Sequence, residues 1–225
     1  NYKFMKIKLY RSSTVGVKFD KFSILFDPWL TDDEYFGSWS HVPPFDLKKN
    51  LNELNSYKSI YISHIHPDHC SISTLKHLNK EIPIYIHKFK SPFIKAKIER
   101  LGFRVIEIDH GASFNLDREI LIRVFAADNC DPSLCYKFTG CADLKSTSTN
   151  QIDTFCYLEN KKYNIVNLND CPYGLVSNFI NKIDTNKKRI DLLLAAYSGA
   201  GPYPQCVSNL SEEEKILEAK KKKFN

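Results

Sequence analysis

The segment SIYISHIHPDHC, residues 59–70, places three histidines and an aspartate within six positions, directly behind a run of β-branched and aromatic residues. Such a run is typical of a buried strand. The whole chain of 225 residues contains only seven histidines. A cluster of three at the end of one predicted strand therefore indicates a shared chemical task.

Metal binding is the task that this spacing favours. Alternate residues of an extended segment face the same side, so His64, His66 and Asp68 can converge, and His69 adds a neighbouring imidazole. Imidazole and carboxylate groups suit zinc, iron or manganese. We therefore expect one or two divalent metal ions here. The alternative is a histidine-rich loop held only by hydrogen bonds, which this spacing disfavours.

The segment SHIHPDHC resembles the HxHxDH signature of the metallo-β-lactamase superfamily. The resemblance implies an α/β fold of the α+β type, a four-layer αββα sandwich with the metals at one edge between two sheets. It implies that Asp27 in ILFDPWL supports the metal loop and that Asp170 in NIVNLNDC bridges the metals. It also implies that Asp68 is the catalytic residue, which would orient a metal-bound hydroxide.

A narrower resemblance comes from DPWL with its following aromatic loop, from IYISHIHPDHCSISTLKHL and from IPIYI. These segments are similar to the lactamase-like domain of CMP-N-acetylneuraminate hydroxylase and its bacterial relatives. That group often carries an N-terminal Rieske iron–sulfur module, whose Cys-x-His pairs are absent from this sequence. The resemblance therefore implies either a stand-alone relative or a fragment.

The remaining pattern predicts strands first and then alternating helices and strands. Strands are expected at 5–10, 14–19, 22–30, 58–63, 82–88, 104–109 and 120–128, a hairpin over 152–170, and a buried strand at 191–197. Helices are expected at 72–80, 91–103 and 172–183, and over LSEEEKILEAKKKK, which Ser211 would cap. No repeat or linker interrupts the chain, so we expect one domain over residues 1–225.

The sequence departs from the superfamily pattern at two metal ligands. Dinuclear members use a third histidine between the signature and the bridging aspartate, and another near the C-terminus. The expected third position falls in VFAADNCDPSLC (124–135), where Asp128 is the preferred substitute and Asn129, Cys130 and Asp131 are alternatives. A carboxylate there would favour iron or manganese over zinc. The C-terminal histidine is missing, which leaves open that the domain continues beyond residue 225.

Three segments are candidates for the substrate pocket. In the loop FGSWSHVPPF (36–45), Trp39 and His41 could stack on a ring or sugar, or could instead cover the core. His87 ends a predicted strand at the same edge of the sheet. In AAYSGAGPYPQC (195–206), the glycines allow close backbone approach, and amide groups could bind an anion. The residues expected to contact substrate in this segment are Gly199, Gly201, Tyr203 and Gln205; the alternative is a tight turn.

Composition narrows the class of protein. Hydrophobic residues make up 43% and charged residues 26%, which is ordinary for a globular domain. No apolar run approaches the roughly 20 residues of a membrane span, and no signal peptide is evident. A cytoplasmic location with reduced thiols is therefore expected. The net charge of +6 comes largely from lysine runs, which usually form solvated faces, so nucleic-acid binding is not expected.

Three functions remain open. The leading hypothesis is a hydrolase in which a metal-bound hydroxide attacks an ester, phosphoester, amide or lactone of an anionic or sugar-linked small molecule. The alternative is an iron-dependent hydroxylase acting on a nucleotide-linked sugar, which would need a redox partner. The third is a metal-binding domain without catalysis.

Overall fold

The computed structural model describes residues 5–19, 21–89, 91–126, 153–171, 180, 189–196 and 209–223. All statements about structure below concern these residues. Within them, no helix combines the length and apolar character needed to cross a membrane. The cytoplasmic location and the single domain over 1–225 stay predictions.

The first sheet has six strands that follow one another in chain order. Its first three strands are antiparallel, and the third to the sixth are parallel. The parallel strands all end at one edge of the sheet. The strands are β1 (Lys6–Arg11), β2 (Thr14–Phe19), β3 (Phe22–Phe26), β4 (Ser59–Tyr61), β5 (Ile84–His87) and β6 (Val105–Ile108).

The second sheet has five strands in the order β11-β10-β9-β8-β7, and only the β10–β11 pair is parallel. The hairpin predicted over 152–170 is confirmed as the β9–β10 pair. The strands are β7 (Ser113–Asp117), β8 (Ile120–Ala126), β9 (Thr154–Glu159), β10 (Asn164–Asn169) and β11 (Leu192–Ala195).

Two strand predictions need correction. The strand β7 was not predicted, because it lies at a sheet edge and alternates exposed with partly buried residues, which weakens its hydrophobic signal. The strand at 191–197 was predicted to be buried, but β11 is partly exposed and Leu193 is 53% accessible. An edge strand has a neighbour on one side only, so an apolar sequence does not guarantee burial there.

In the described parts of the chain, five helical segments have assigned bounds: α1 (Glu34–Gly37), α2 (Leu47–Leu54), α3 (Ile72–His77), α4 (Phe93–Glu99) and α5 (Glu212–Lys223). The capping of α5 by Ser211 is confirmed, since the Glu214 N–H donates to Ser211 Oγ at 3.2 Å and the Ser211 N–H donates to Glu214 Oε2 at 2.8 Å. The helix α2, which was not predicted from the sequence, begins at Leu47. Asp46 caps it by accepting from the Lys49 N–H at 3.0 Å.

Hydrophobic side chains form three layers, as the alternation of strands requires. On β3, Leu25 faces the helices, where it joins Leu54, Leu75 and other residues of one cluster. Its neighbours Ile24 and Phe26 face the opposite way, into the cluster between the two sheets. A third cluster covers the outer face of the second sheet. The predicted αββα sandwich is confirmed.

Candidate metal centre

The ends of the strands collect the candidate ligands at one edge. Asp27 follows β3 and the signature segment follows β4, which is parallel to β3. In the second sheet, Asp170 follows β10 and Asp153 precedes β9. Because β9 and β10 are antiparallel, the start of one lies beside the end of the other. Groups from both sheets therefore meet at the same edge.

His64 is the centre of the arrangement. Its Nε2 lies 2.9 Å from His66 Nδ1, and its Nδ1 lies 2.9 Å from Ser63 Oγ. The side chain is only 1% exposed. Asn169 Nδ2 donates to the same Ser63 hydroxyl oxygen at 3.2 Å. These contacts fix the imidazole ring, so that its Nε2 faces the other ligands.

Two groups of three side chains could each hold a metal ion. One comprises His64, His66 and Asp153, and the other comprises His64, His69 and Asp170. Within each group the ligand atoms all lie within 4.8 Å of one another. Because His64 belongs to both groups, the two positions are neighbours. The residues present therefore fit a site for two adjacent ions.

His69 contacts three carboxylates. Its Nε2 lies 3.1 Å from Asp170 Oδ2 and 3.2 Å from Asp68 Oδ2, and its Nδ1 lies 3.6 Å from Asp27 Oδ2. Burial by itself would lower the pKa of His69, but the contacts with Asp170, Asp27 and Asp68 raise that pKa well above its usual value. Three carboxylates around one imidazole form a strongly negative site that suits a cation.

Asp27 holds the signature loop through contacts with Ser63 and His69. It is fully buried, and its Oδ1 accepts the Ser63 N–H at 2.7 Å. Its backbone has a positive φ of 41°, which an aspartate tolerates better than most residues. Burial raises the pKa of Asp27, while the contacts with His69 and Ser63 oppose that rise. The aspartate thus links the end of β3 to both ends of the signature.

Asp153 is the ligand candidate that the sequence reasoning missed. Its Oδ1 lies 3.9 Å from His64 Nε2, and its side chain is 4% exposed. The next residue fixes its position, because Thr154 Oγ1 donates to the Ser63 carbonyl oxygen at 2.6 Å. A usable signal was present, because Asp153 lies at the start of the predicted hairpin over 152–170 and Asp170 lies at its end, and the two ends of a hairpin lie side by side.

Among the predicted pocket residues, Trp39 is partly accessible, whereas His41 and His87 are buried. Trp39 is 37% exposed and its ring lies 4.6 Å from that of Tyr35. His41 is buried, with its ring 4.2 Å from that of Trp29, so it packs within the loop. His87 is buried with its ring 5.6 Å from that of His110. The predicted ligand and pocket residues Asp128, Gly199, Gly201, Tyr203 and Gln205 lie outside the described residues.

Comparison with known proteins gives similar sequences and similar structures. No family model matches the chain. The cytidine monophosphate-N-acetylneuraminic acid hydroxylase of Danio rerio is 30% identical over 156 residues, which are 66% of this chain and 22% of that protein. The chain thus spans less than a quarter of that relative's length.

Among solved structures, a possible metal-dependent hydrolase from Veillonella parvula DSM 2008 matches with a TM-score of 0.56 at 16% identity, over 81% of this chain and 68% of that chain. CmlA, a diiron β-hydroxylase from Streptomyces venezuelae, matches with a TM-score of 0.53 at 16% identity, over 86% of this chain and 34% of that chain. At such identities these likenesses concern the fold alone. The chain has the metallo-β-lactamase fold, and its predicted resemblance to the hydroxylase group is confirmed.

Proposed function

We propose that this chain of metallo-β-lactamase fold is the metal-binding domain of an iron-dependent hydroxylase that acts on a nucleotide-linked sugar. The observation that carries the proposal is Asp153. Asp153 adds a buried carboxylate to His64 and His66. A site made of histidines alone would instead favour zinc. Two imidazoles and one carboxylate with open positions are typical of non-haem iron sites.

The side chains of the centre have separable tasks. His64, His66 and Asp153 would hold one ion, and His69 with Asp170 and the adjacent Asp68 would hold a second. Ser63 and Asp27 orient the imidazoles of His64 and His69. Bound iron would supply the oxygen chemistry of hydroxylation. Hydroxylation by dioxygen also consumes a pair of electrons, so an electron donor is required.

The centre has a closed and an open side. The side chains of His64 and Asp153 are 1% and 4% exposed, whereas that of Asp170 is 41% exposed. A substrate would therefore approach from the Asp170 side. The relative from Danio rerio is named for a substrate that joins a cytidine nucleotide to an acidic sugar. A molecule of that class is our proposed substrate.

Hydrolysis is the second candidate function. The observation that favours it is the adjacency of the two ligand groups, since paired metal ions can lower the pKa of a bridging water to near neutral. Asp68 would then hold that water in place. An anionic or sugar-linked ester, phosphoester, amide or lactone is the substrate class proposed for this reaction.

Metal content separates these candidates. The protein should be purified without chelators from cells supplied with iron, manganese and zinc, and its metals measured by elemental analysis. We expect iron, together with the addition of one oxygen atom to a cytidine monophosphate–sugar when reductant and dioxygen are supplied. Zinc, combined with cleavage of model phosphoesters or lactones, would replace the hydroxylase proposal by the hydrolase. Absence of any bound metal would favour a domain without catalysis.

A further inference from the structure

The turn between Asp33 and Gly37 has an unusual backbone. Asp33, Tyr35 and Phe36 have φ values of 69°, 50° and 61°, in the left-handed region that L-residues with a β-carbon rarely adopt. The turn is closed by backbone hydrogen bonds in both directions between Glu34 and Trp39, at 3.2 and 3.1 Å. Strain of this kind persists only where the surrounding contacts enforce it, and it is concentrated at functional sites.

The turn brings the hydroxyl group of Tyr35 to the metal centre. Tyr35 Oη donates to Asp68 Oδ1 at 2.7 Å, while the other carboxylate oxygen, Oδ2, lies 3.2 Å from His69 Nε2. An ionised carboxylate can only accept, so the tyrosine must be the donor. The two oxygens of Asp68 therefore have different partners.

Aromatic packing holds the ring of Tyr35 independently of its hydroxyl group. The ring lies 4.6 Å from that of Trp39, which in turn lies 6.1 Å from the ring of Trp29. Trp29 is 5% exposed, and its backbone N–H donates to Thr14 Oγ1 at 2.8 Å. The row of rings thus anchors the turn to the first sheet. Removing only the hydroxyl group should leave this packing in place.

We infer that Tyr35 is a positioning residue for the metal centre, and that its hydroxyl group fixes the Asp68 carboxylate so that Oδ2 faces His69 and the bound metal. The inference rests on the proposed metal site, but it holds for either candidate reaction. Hydrogen-bond partners of metal-ligating side chains orient those ligands and strengthen metal binding. Without the hydroxyl, the carboxylate of Asp68 would be free to rotate away from the site.

The test is the manganese affinity of Tyr35→Phe, measured by competition with a chelator in the absence of substrate. We expect the affinity to fall by about 10- to 100-fold, the range found when such partners are removed. The thermal midpoint of the metal-free protein should stay near the wild-type value. Tyr57→Phe is the matched control, because its hydroxyl contacts Tyr10 at 3.0 Å among the helix-side residues, and its affinity should equal that of the wild type.

A double-mutant cycle shows whether Tyr35 acts through Asp68. Asp68→Asn should weaken manganese binding by itself, and adding Tyr35→Phe to it should then have little further effect. Equal affinities of wild type and Tyr35→Phe would overturn the role of Tyr35 while leaving the metal site standing. Additive losses would overturn action through Asp68. A wild-type protein that binds no manganese, iron or zinc would overturn the proposed function and this role together.

Discussion

Asp153 Oδ1 lies 3.9 Å from His64 Nε2, and both side chains are almost completely buried. One residue precedes a strand of the second sheet, and the other follows a strand of the first sheet. A buried carboxylate is costly unless a cation or a hydrogen-bond donor compensates its charge. The pair therefore brings the two sheets together at a position that suits a bound metal ion.

Replacing Asp153 by asparagine should remove the charge while keeping the size of the side chain. We expect affinity for iron or manganese to fall by at least about 100-fold, beyond the usual effect of losing a partner of a ligand. Isothermal titration or chelator competition would measure it. Asp117→Asn, at the exposed end of β7, is the control and should bind metal normally. Undiminished affinity of Asp153→Asn would exclude Asp153 as a ligand.

Replacing Asp170 by asparagine tests for two metal positions. Asp170 belongs to one ligand group, and Asp153 to the other. If the wild type binds two ions per chain, Asp170→Asn should retain one, held by His64, His66 and Asp153. Native mass spectrometry of the metal-loaded protein would give the stoichiometry. Loss of both ions at saturating metal would mean that the two groups do not bind independently.

His66→Ala should abolish metal binding or activity with little loss of fold. His66 lies in the loop after β4 and is not part of the hydrophobic clusters. Thermal unfolding of the metal-free variant should therefore resemble that of the metal-free wild type. Added metal should raise the midpoint of the wild type alone, since a ligand stabilises the state that binds it. A variant that stays unfolded even with metal would instead indicate a structural role.

His87 should make the protein less stable in mild acid. Burial, and then the nearby His110, lower the pKa of His87 from 6.5 to about 4. The unfolded chain takes up this proton near pH 6.5, whereas the folded protein resists protonation until about pH 4. Because the unfolded chain binds this proton first, the free energy of unfolding falls as the pH drops from 6.5 to 4, by roughly 1–3 kcal/mol. Above pH 6.5 His87 is neutral in both states and has no such effect.

The variant His87→Phe would test this pH dependence, because it keeps an aromatic ring beside His110 but cannot titrate. Between pH 4 and 6.5, the free energy of unfolding measured in urea should fall less steeply with decreasing pH than in the wild type. The difference in slope should correspond to at most one proton taken up on unfolding. His77→Asn is the control, because His77 lies exposed on α3. Parallel stability curves for wild type and His87→Phe would contradict the prediction.

Local patterns were sufficient for much of the architecture. The continuous apolar run Ile24, Leu25 and Phe26 reflects burial on both faces of β3. The sequence around residues 159–162 predicts the β9–β10 hairpin that is found. The spacing of His64, His66, Asp68 and His69 predicts a metal site because those residues are close along the chain. In all these cases the physical cause acts over a few residues, so it is visible in the sequence.

The tertiary structure decided which distant groups complete the site. Asp153 and Tyr35 become neighbours of His64 and Asp68 through the packing of the two sheets and a strained turn. Tyr35 has no local pattern that indicates its role. The predicted hairpin places Asp153 near Asp170, but it does not distinguish a carboxylate on the surface from one at a metal centre. Likewise His41, for which the sequence left both substrate contact and core packing open, is buried against Trp29. The sequence determined where the ligands begin, and long-range packing determined what surrounds them.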